Sequence, residues 1–303
     1  MGKVVIGQEN AINELLMAIL CDGHVLVEGV PGIAKTLIIK ALSRVIGAGS
    51  QRIQFTADLL PTDIIGVSTY EKSSGFKIIK GPIFTHFVLA DEINRASPKV
   101  QAALLEAMQE RQVTIFKDTH ALPKPFFVMA TQNPLESLGV YPLPQAQIDR
   151  FIFKVIMDYP NSKNEQKILM NNVTIRDFDT YGIKPVASPD DILKMQELVK
   201  KVYLNERMER YIVNIIDKTR NAGDEDLGRF VQWGASPRGS ISLYIASKAA
   251  ALLEGSDYVK PQHIKRVLHQ VLRHRIILTY EGQAEDINTD DVIDQLISKV
   301  SVP

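Results

Sequence analysis

The chain has 303 residues, enough for about two domains, and it is 45% apolar and 23% charged. This mixture is typical of globular proteins and excludes a disordered or collagen-like chain. Lys+Arg (35) balance Asp+Glu (35), which argues against a nucleic-acid coat or a polybasic membrane binder. The single cysteine excludes an internal disulfide, a zinc ribbon and an iron–sulfur centre.

The first half of the chain alternates short apolar runs with helical patterns, which is typical of a parallel α/β sheet. The runs are continuous rather than alternating, so the strands should be covered on both faces. The five predicted strands are residues 25–27, 53–55, 87–90, 126–130 and 151–153. Two insertions, at 67–79 and 112–122, have the pattern of hairpins.

Beyond residue 160 the strand pattern fades and helical periodicity takes over. Ser188 and Asp191 form a capping-box pattern, and later helices are predicted at 205–220, 236–253, 261–275 and 289–299. We therefore predict an α/β core over 1–160 with two hairpin insertions, a partly helical connector over 161–187, and an all-helical domain over 188–303. No apolar run approaches the roughly 20 residues of a membrane span, and the N-terminus lacks a signal-peptide core. We expect a soluble, cytoplasmic protein with no transmembrane segment.

A glycine-rich loop follows the first strand and opens a helix. Its residues are Gly29, Val30, Pro31, Gly32, Ile33, Ala34, Lys35 and Thr36. The pattern is that of a phosphate-binding loop, in which backbone amides cradle phosphate, the lysine reaches the β/γ oxygens and the hydroxyl reaches Mg²⁺. Ala34 replaces the usual second glycine, but its small methyl group tolerates helical φ/ψ, so we expect the loop to survive. The alternative, a turn with a surface lysine, is disfavoured by the position between a buried strand and a helix.

Polar side chains end the third and fourth strands. Asp91 could hold Mg²⁺ through water, Glu92 could polarise an attacking water, and Asn133 could orient that water. Taken alone, each is more often an ordinary acidic strand end or a turn residue. In a parallel sheet, however, the strand ends and the glycine-rich loop converge on one place, which favours a nucleotide site.

Two arginines could add positive charge to that site. Arg150 precedes the fifth strand and could serve phosphoryl transfer, or simply pair with Asp149 for at most about 1 kcal/mol. Arg238 lies in the first turn of a helix capped by Ser236, where the helix dipole disfavours a cation. A nucleotide phosphate nearby would resolve that conflict, and the alternative is a solvated arginine.

These motifs, taken together, resemble the MoxR family of AAA+ ATPases over about residues 5–266. Besides the loop at 29–36, the resemblance rests on the ordered blocks Val5-Ile6-Gly7-Gln8, Gln54-Phe55-Thr56, Asp58-Leu59-Leu60-Pro61, Gly81-Pro82-Ile83-Phe84, Leu89-Ala90-Asp91-Glu92-Ile93-Asn94-Arg95-Ala96, Leu105-Glu106-Ala107-Met108-Gln109-Glu110, Ala130-Thr131-Gln132-Asn133-Pro134, Tyr141-Pro142-Leu143-Pro144, Ile148-Asp149-Arg150-Phe151 and Gly234-Ala235-Ser236-Pro237-Arg238. The family implies a P-loop domain with a central parallel sheet flanked by helices, followed by an all-helical lid.

The resemblance also implies which residues bind nucleotide and metal. ATP would be bound by the Walker A loop and its flank, Gly29 to Leu37, and by Ile6 and Gly7 in the segment that borders the adenine. The Walker B aspartate, Asp91, and the sensor 2 arginine, Arg238, would also bind it. Mg²⁺ would be held by Thr36 and Asp91.

Four residues would act in catalysis by the same resemblance. Lys35 and the Walker B Glu92 would act on the ATP and its attacking water. Asn133 would be sensor 1. Arg150 would be an arginine finger acting on ATP bound to the neighbouring subunit.

Members of this family form rings, usually hexamers, and are thought to act as ATP-hydrolysing chaperones that remodel, assemble or help metallate protein complexes. A partner with a von Willebrand factor A domain is common. The hairpin at 67–79 matches the family's insertion in helix 2, and the one at 112–122 matches the hairpin before sensor 1. Phe76, Lys77 and Lys80 could face client protein. A crosslink from position 76 to a client would support this, and burial of the hairpin between subunits would refute it.

Two other functions remain open at this point. A nucleic-acid motor is disfavoured by the zero net charge and by the lack of a recognition helix or aromatic stacking motif; ATPase stimulation by DNA that fades with salt would revive it. A non-catalytic nucleotide switch or scaffold is disfavoured by the complete set of Asp91, Glu92, Asn133 and Arg150. Turnover that Glu92→Gln abolishes would exclude it.

Overall fold

The computed structural model describes residues 2, 4–30, 32–72, 75–133, 139–171, 178–223 and 226–303. The chain forms two compact units. The first comprises Met1–Leu143 and Val155–Leu193, and the second comprises Pro144–Lys154 and Lys194–Pro303. None of the helices among these described residues is long and apolar enough to cross a membrane.

The strands, in chain order, are β1 (Val25–Gly29), β2 (Ser50–Gln54), β3 (Gly66–Glu71), β4 (Gly75–Lys80), β5 (Phe87–Asp91), β6 (Gln112–Ile115), β7 (Asp118–Ala121), β8 (Phe127–Gln132), β9 (Phe153–Met157), β10 (Val231–Trp233) and β11 (Ile277–Leu278). The helices are α1 (Glu9–Leu20), α2 (Lys35–Ile46), α3 (Pro61–Ile65), α4 (Pro98–Glu110), α5 (Gln145–Ile148), α6 (Ser162–Asn171), α7 (Pro189–Lys201), α8 (Glu206–Arg220), α9 (Pro237–Leu253), α10 (Pro261–Arg266), α11 (Leu268–Leu272), α12 (Tyr280–Ala284) and α13 (Thr289–Ser298).

The first unit is built on a five-stranded sheet of order β2-β5-β8-β1-β9. The pairs β2–β5, β5–β8 and β8–β1 are parallel, and Phe87 lies opposite Phe127 in the centre. Both phenylalanines are fully buried, and burying such a side chain contributes about 1.5–3 kcal/mol. The continuous apolar runs of β1, β5 and β8 are covered on both faces, as predicted. The parallel α/β sheet followed by a mainly helical region confirms the predicted fold class.

The two edge strands begin and end away from their predicted positions. The second strand was expected at 53–55 and occupies Ser50–Gln54, and the fifth was expected at 151–153 and occupies Phe153–Met157. Edge strands are less completely covered, so polar residues interrupt the apolar run: Arg52 in β2 is exposed, and Lys154 in β9 is half-buried. A search for continuous apolar runs therefore finds only the buried end of such a strand.

Both predicted hairpins are present. Strands β3 and β4 pair antiparallel with Tyr70 opposite Phe76, and β6 and β7 pair with Thr114 opposite Thr119. The turn of the first hairpin includes Ser73 and Ser74, which lie outside the described residues.

The helices of the second unit begin at the predicted caps. The Ser236 side chain accepts a hydrogen bond from the Arg238 amide at the start of α9, and Asn205 accepts one from Met208 at the start of α8. The helix predicted over 261–275 is instead two short helices, because the backbone leaves the helical region at the fully buried Val267 (φ −108°, ψ 3°). Strands β10 and β11 add a short antiparallel ladder.

Candidate functional site

The glycine-rich loop is shaped by two glycines with different tasks. Gly29 ends β1, and a Cβ there would lie 2.5 Å from the Met157 carbonyl oxygen, so only glycine lets β1 and β9 approach this closely. Gly32 has φ +84°, a left-handed conformation that glycine adopts at no steric cost. Pro31, a predicted loop residue, lies outside the described residues.

Ala34 departs from its predicted conformation. We expected a helical backbone, but Ala34 is left-handed (φ 67°, ψ 23°) and serves as the N-cap of α2. The left-handed region places Cβ against the following carbonyl, which costs an L-residue about 1–2 kcal/mol. The loop therefore keeps the backbone that glycine would give it, at some cost in stability.

Ala34→Gly should raise the free energy of unfolding by up to about 1 kcal/mol, because relief of left-handed strain outweighs glycine's added freedom in the unfolded chain. The matched control is Ala102→Gly, at an exposed position inside α4, which should lower it by about 1 kcal/mol. The urea midpoints of the two variants should therefore move in opposite directions. Equal destabilisation by both changes would contradict the left-handed assignment.

Lys35 is the first residue of α2, and its side chain folds back over the loop. Its Nζ donates a hydrogen bond to the Gly29 carbonyl. Partial burial lowers the pKa of Lys35, and the negative charges of Asp91, Glu92 and Glu28 oppose that shift. The lysine thus stands in the field of the acidic strand end, where its charge stabilises those carboxylates.

The Asp91 carboxylate is held by two other strands. Its Oδ1 accepts a hydrogen bond from Thr131 Oγ1 on β8 (2.7 Å), and its Oδ2 accepts from Arg52 Nε and Nη2 on β2 (3.0 and 2.7 Å). Thr131 is 1% exposed. A buried hydroxyl with a fixed partner restricts the carboxylate to one orientation, which is what a preorganised site requires.

Glu92 has a strained backbone and a fixed side chain. Its φ of 57° and ψ of 51° are left-handed, and such conformations cluster at functional sites. Its Oε2 accepts hydrogen bonds from Gln54 Nε2 (2.8 Å) and Arg95 Nη1 (3.1 Å). Its amide donates to Thr131 Oγ1 (2.9 Å). One threonine hydroxyl therefore orients both acidic residues.

These polar residues open into one cavity of the first unit, of about 770 Å³, which is within the usual range for a small-molecule site. Its walls include Ile6, Gly32, Ile33, Ala34, Lys35, Thr36, Leu37, Asp91, Glu92 and Asn133. Most of the predicted nucleotide residues thus meet in one place. Gly7, Gly29 and Val30 are not among the lining residues.

Residues that the sequence analysis did not single out complete this cavity. Arg52 lies beside the acidic pair, and a largely apolar wall is formed by Val4, Tyr159, Pro160, Ile168 and Leu169, together with Glu165. Gln8, from the sequence block at 5–8, also lines the cavity. The Gln8 side chain is fixed by a hydrogen bond to the Asp158 carbonyl (2.9 Å). An apolar wall next to a loop with the phosphate-binding pattern suits a flat heteroaromatic ring. For Ile168 and Leu169, the helical periodicity of α6 was the available signal.

The oxygen ligands in the cavity fit Mg²⁺. The Thr36 hydroxyl and the Asp91 carboxylate are hard oxygen donors that line the same cavity, and Mg²⁺ is usually bound by one or two such groups plus substrate phosphates and water. Within the described ranges, no group of three or more His, Cys, Asp or Glu side chains could form a dedicated metal cage. Two oxygen donors, Thr36 and Asp91, fit a metal that arrives with a phosphorylated ligand.

Arg150 and Arg238 belong to the second unit. Arg150, between α5 and β9, is exposed, and no residue in the described part of the chain forms an ion pair with it. The alternative pair with Asp149 is not formed, because that carboxylate accepts from Arg275 (2.9 Å) and Ser236 (2.8 Å). Arg238 Nη1 lies 3.8 Å from Asp149 Oδ2, so an aspartate supplies the anion expected at this helix start.

The two hairpins carry an exposed aromatic cluster. Tyr70, Phe76 and Phe116 are each about two-thirds exposed, with ring centroids 5.3 Å apart for Tyr70–Phe76 and 5.7 Å for Phe76–Phe116. Lys117 lies over the Phe116 ring. Phe116 was not anticipated, because its contact with Phe76 joins hairpins about 40 residues apart in sequence. The expectation that Phe76, Lys77 and Lys80 face client protein stays a prediction.

Comparison with known protein families matches both halves of the chain. Residues 24–153 match the ATPase family associated with various cellular activities (AAA), and residues 228–296 match the AAA lid domain. A crystal structure from Cytophaga hutchinsonii, described as a proposed ATPase, has a TM-score of 0.92 and 44% identity and covers 100% of this chain and 92% of that one.

Individual relatives align along nearly the whole length. The chain is 44% identical to the chaperone MoxR1 of Mycobacterium tuberculosis over 99% of its own length and 80% of that protein. It is 45% identical to the uncharacterized protein YeaC of Bacillus subtilis, over 99% and 92%. It is 31% identical to the protein MoxR of Paracoccus denitrificans, over 99% and 93%. With a glycine-rich loop and an acidic strand end in one cavity, and with relatives of this name aligned end to end, the chain belongs to the MoxR family of AAA+ ATPases.

Proposed function

We propose that this protein hydrolyses ATP in the presence of Mg²⁺, in a ring of identical subunits, and uses the energy to remodel, assemble or help metallate client protein complexes. The observation that carries the proposal is the meeting of Lys35, Thr36, Asp91, Glu92 and Asn133 in one cavity. These are the residue types that phosphoryl transfer to water requires. The family membership supports ATP hydrolysis in general, and the metal dependence, the ring and the client are our inference.

Binding of the triphosphate would rest on the loop and on Lys35. The backbone amides at the start of α2 point toward the loop, where the positive end of the helix dipole favours an anion. Lys35 Nζ now donates to the Gly29 carbonyl and would exchange that acceptor for a β/γ-phosphate oxygen. The apolar wall that includes Ile6 and Tyr159 would cover the base.

Hydrolysis would rest on the acidic pair and Asn133. Thr36 and Asp91 would hold Mg²⁺, which when bound neutralises charge developing on the phosphates. For this, Arg52 would have to release Asp91 Oδ2, while Thr131 keeps Oδ1 in place. Glu92 would accept a proton from the attacking water, and Asn133 would orient that water through its amide.

The ring is proposed because a further cation, supplied by a neighbouring subunit, would stabilise the charge of the phosphoryl-transfer transition state. Arg150 is exposed and without an ion pair among the described residues, and so is available to act on ATP bound to a neighbouring copy. An arginine finger is worth about 10³–10⁵ in rate, so an isolated subunit would be nearly inactive. Arg238 would sense the γ-phosphate and exchange its Asp149 partner for it. The same proposal includes a cytoplasmic location and a partner with a von Willebrand factor A domain. It also includes the division of the chain into domains over 1–160 and 188–303, joined by a connector over 161–187.

The concentration dependence of turnover tests the proposal. Phosphate release from Mg²⁺-ATP per subunit should rise steeply with protein concentration, because each site is completed by a neighbour. Omitting Mg²⁺ should abolish release. A flat rate that still depends on Glu92 would indicate a ring already formed or a self-sufficient site, and size-exclusion chromatography at the lowest concentration separates the two. No phosphate release at any concentration would contradict the proposal.

A further inference from the structure

The Asp149 carboxylate contacts two distant parts of the second unit, Arg275 and the start of α9. Its Oδ1 accepts a hydrogen bond from Arg275 Nε (2.9 Å), and its Oδ2 accepts one from Ser236 Oγ (2.8 Å). Ser236 is the N-cap of α9, the helix that carries Arg238, and Arg238 Nη1 itself lies 3.8 Å from the same Oδ2. Asp149 is therefore next to Arg150 in sequence and next to Arg238 in space.

Arg275 clamps the backbone on both sides of Arg150. Its Nη2 donates to the carbonyls of Asp149 (3.1 Å) and Phe151 (2.7 Å), and its Nη1 donates to that of Ile152 (3.2 Å). The remaining contacts of the guanidinium are with the Val271 carbonyl and Ser242 Oγ. The Arg275 side chain is 1% exposed. A buried guanidinium that donates to this many acceptors holds the backbone of residues 149–152 in one conformation.

The charge of Arg275 is sustained by the same aspartate. Burial lowers the pKa of Arg275 to about 10, and Asp149 opposes the shift both as a negative charge and as a hydrogen-bond acceptor. The guanidinium thus stays charged at neutral pH. Removing either partner of a buried ion pair leaves the other charge uncompensated, which strongly lowers stability. Asp149 and Arg275 therefore hold each other in place.

The hydrogen bonds from Arg275 restrain the backbone around Arg150 but not the Arg150 side chain. The backbone on either side is pinned, yet the Arg150 side chain is exposed and forms no ion pair with any residue that the structure describes. A cation that stabilises a transition state is more effective when its backbone is already fixed. The conformational entropy of that backbone is then lost during folding and not during the reaction.

We propose that Asp149 and Arg275 form a positioning pair that holds the Arg150 segment in its working geometry and anchors the start of the Arg238 helix to the same carboxylate. Neither residue touches the nucleotide in this proposal. The inference rests on the proposed function, in which Arg150 completes a neighbour's site. The start of α9 and the backbone around Arg150 are thus held by one carboxylate.

Arg275→Lys is the test variant, because it keeps the charge and removes the fork that reaches the three carbonyls. Turnover at saturating ATP should fall at least about tenfold, while KM for ATP changes by no more than about twofold. The matched control is Arg273→Lys in the same segment. Arg273 is also a mostly buried arginine, but its bonds go to Asp290 and the Lys154 carbonyl, and turnover should stay near that of the unaltered protein.

Mixed rings separate positioning from a general loss of structure. Co-expressed Arg150→Ala and Glu92→Gln subunits should regain turnover, because the intact Arg150 of one subunit completes the intact site of the other. If Arg275 acts through Arg150, Arg275→Lys subunits should be rescued by Glu92→Gln subunits in the same way, and should not be rescued by Arg150→Ala subunits. Asp149→Asn, which keeps an oxygen acceptor for Ser236, should give the same pattern.

Each outcome bears on a different statement. If Arg150→Ala with Glu92→Gln stays inactive, the action of Arg150 on a neighbour is wrong and this inference falls with it. If that reference pair recovers but neither Arg275→Lys nor Asp149→Asn is rescued, the positioning role alone is wrong. Rescue of either variant by Glu92→Gln subunits supports the inference, because a misfolded subunit could not offer an intact site.

Discussion

Arg150→Ala should lower turnover of ATP by about 10³–10⁵-fold, the usual contribution of an arginine finger, and leave the affinity for ATP nearly unchanged. The reason is that Arg150 would act on charge that develops only in the transition state, so its loss affects the reaction and not ground-state binding. The structure supports this because the side chain is exposed and its neighbour Asp149 is committed to Arg275 and Ser236.

The matched control for this change is Arg207→Ala. Arg207 is an exposed arginine on α8 in the same unit, and its removal should leave turnover within about twofold of the unaltered protein, as is usual for a surface position. Turnover should be measured at saturating Mg²⁺-ATP, and binding should be measured separately with a fluorescent ATP analogue. A variant that loses binding but keeps its residual turnover would contradict the role of Arg150.

Glu92→Gln should retain ATP and lower its hydrolysis by about 10²–10⁴-fold, the range for loss of a positioned general base. Glutamine has the size of glutamate and keeps an oxygen that can accept from Gln54, so the side chain can stay in place. It cannot accept the proton of the attacking water, and it loses the ion pair with Arg95. The bound ATP should therefore survive and remain detectable after rapid gel filtration.

The control for this second change is Glu106→Gln, on the exposed side of α4. It removes the same charge at a distance from the acidic strand end and should leave hydrolysis unchanged. Nucleotide recovered from Glu92→Gln should be mainly ATP, and nucleotide recovered from the control should be mainly ADP. An unchanged rate in Glu92→Gln would remove Glu92 from the mechanism, and loss of ATP binding would make it a structural residue.

The sequence by itself determined the features that depend on neighbouring residues. Continuous apolar runs are sufficient to identify β1, β5 and β8, because a strand buried on both faces has no polar alternation. A glycine-rich loop between a strand and a helix, and acidic residues directly after a strand, are equally local signals. Parallel pairing then places those strand ends at one edge, so the meeting of Lys35, Asp91 and Asn133 was predictable.

The tertiary structure decided which groups surround these residues. Thr131 orients Asp91 and Glu92 from β8, while Arg52 and Gln54 reach them from β2, and no pattern within a few residues announces such contacts. The left-handed backbone of Ala34 also came from the fold, because the loop has to turn there whatever residue it carries.

The partner of Asp149 is the clearest case of this division. Its neighbour in sequence, Arg150, was the natural candidate, but the carboxylate is bound by Arg275, 126 positions away. Local charge patterns predict pairs along a helix or strand, where spacing alone brings side chains together. Where a buried guanidinium finds its acceptors depends on which carbonyls the packed backbone leaves open, and only the folded chain determines that.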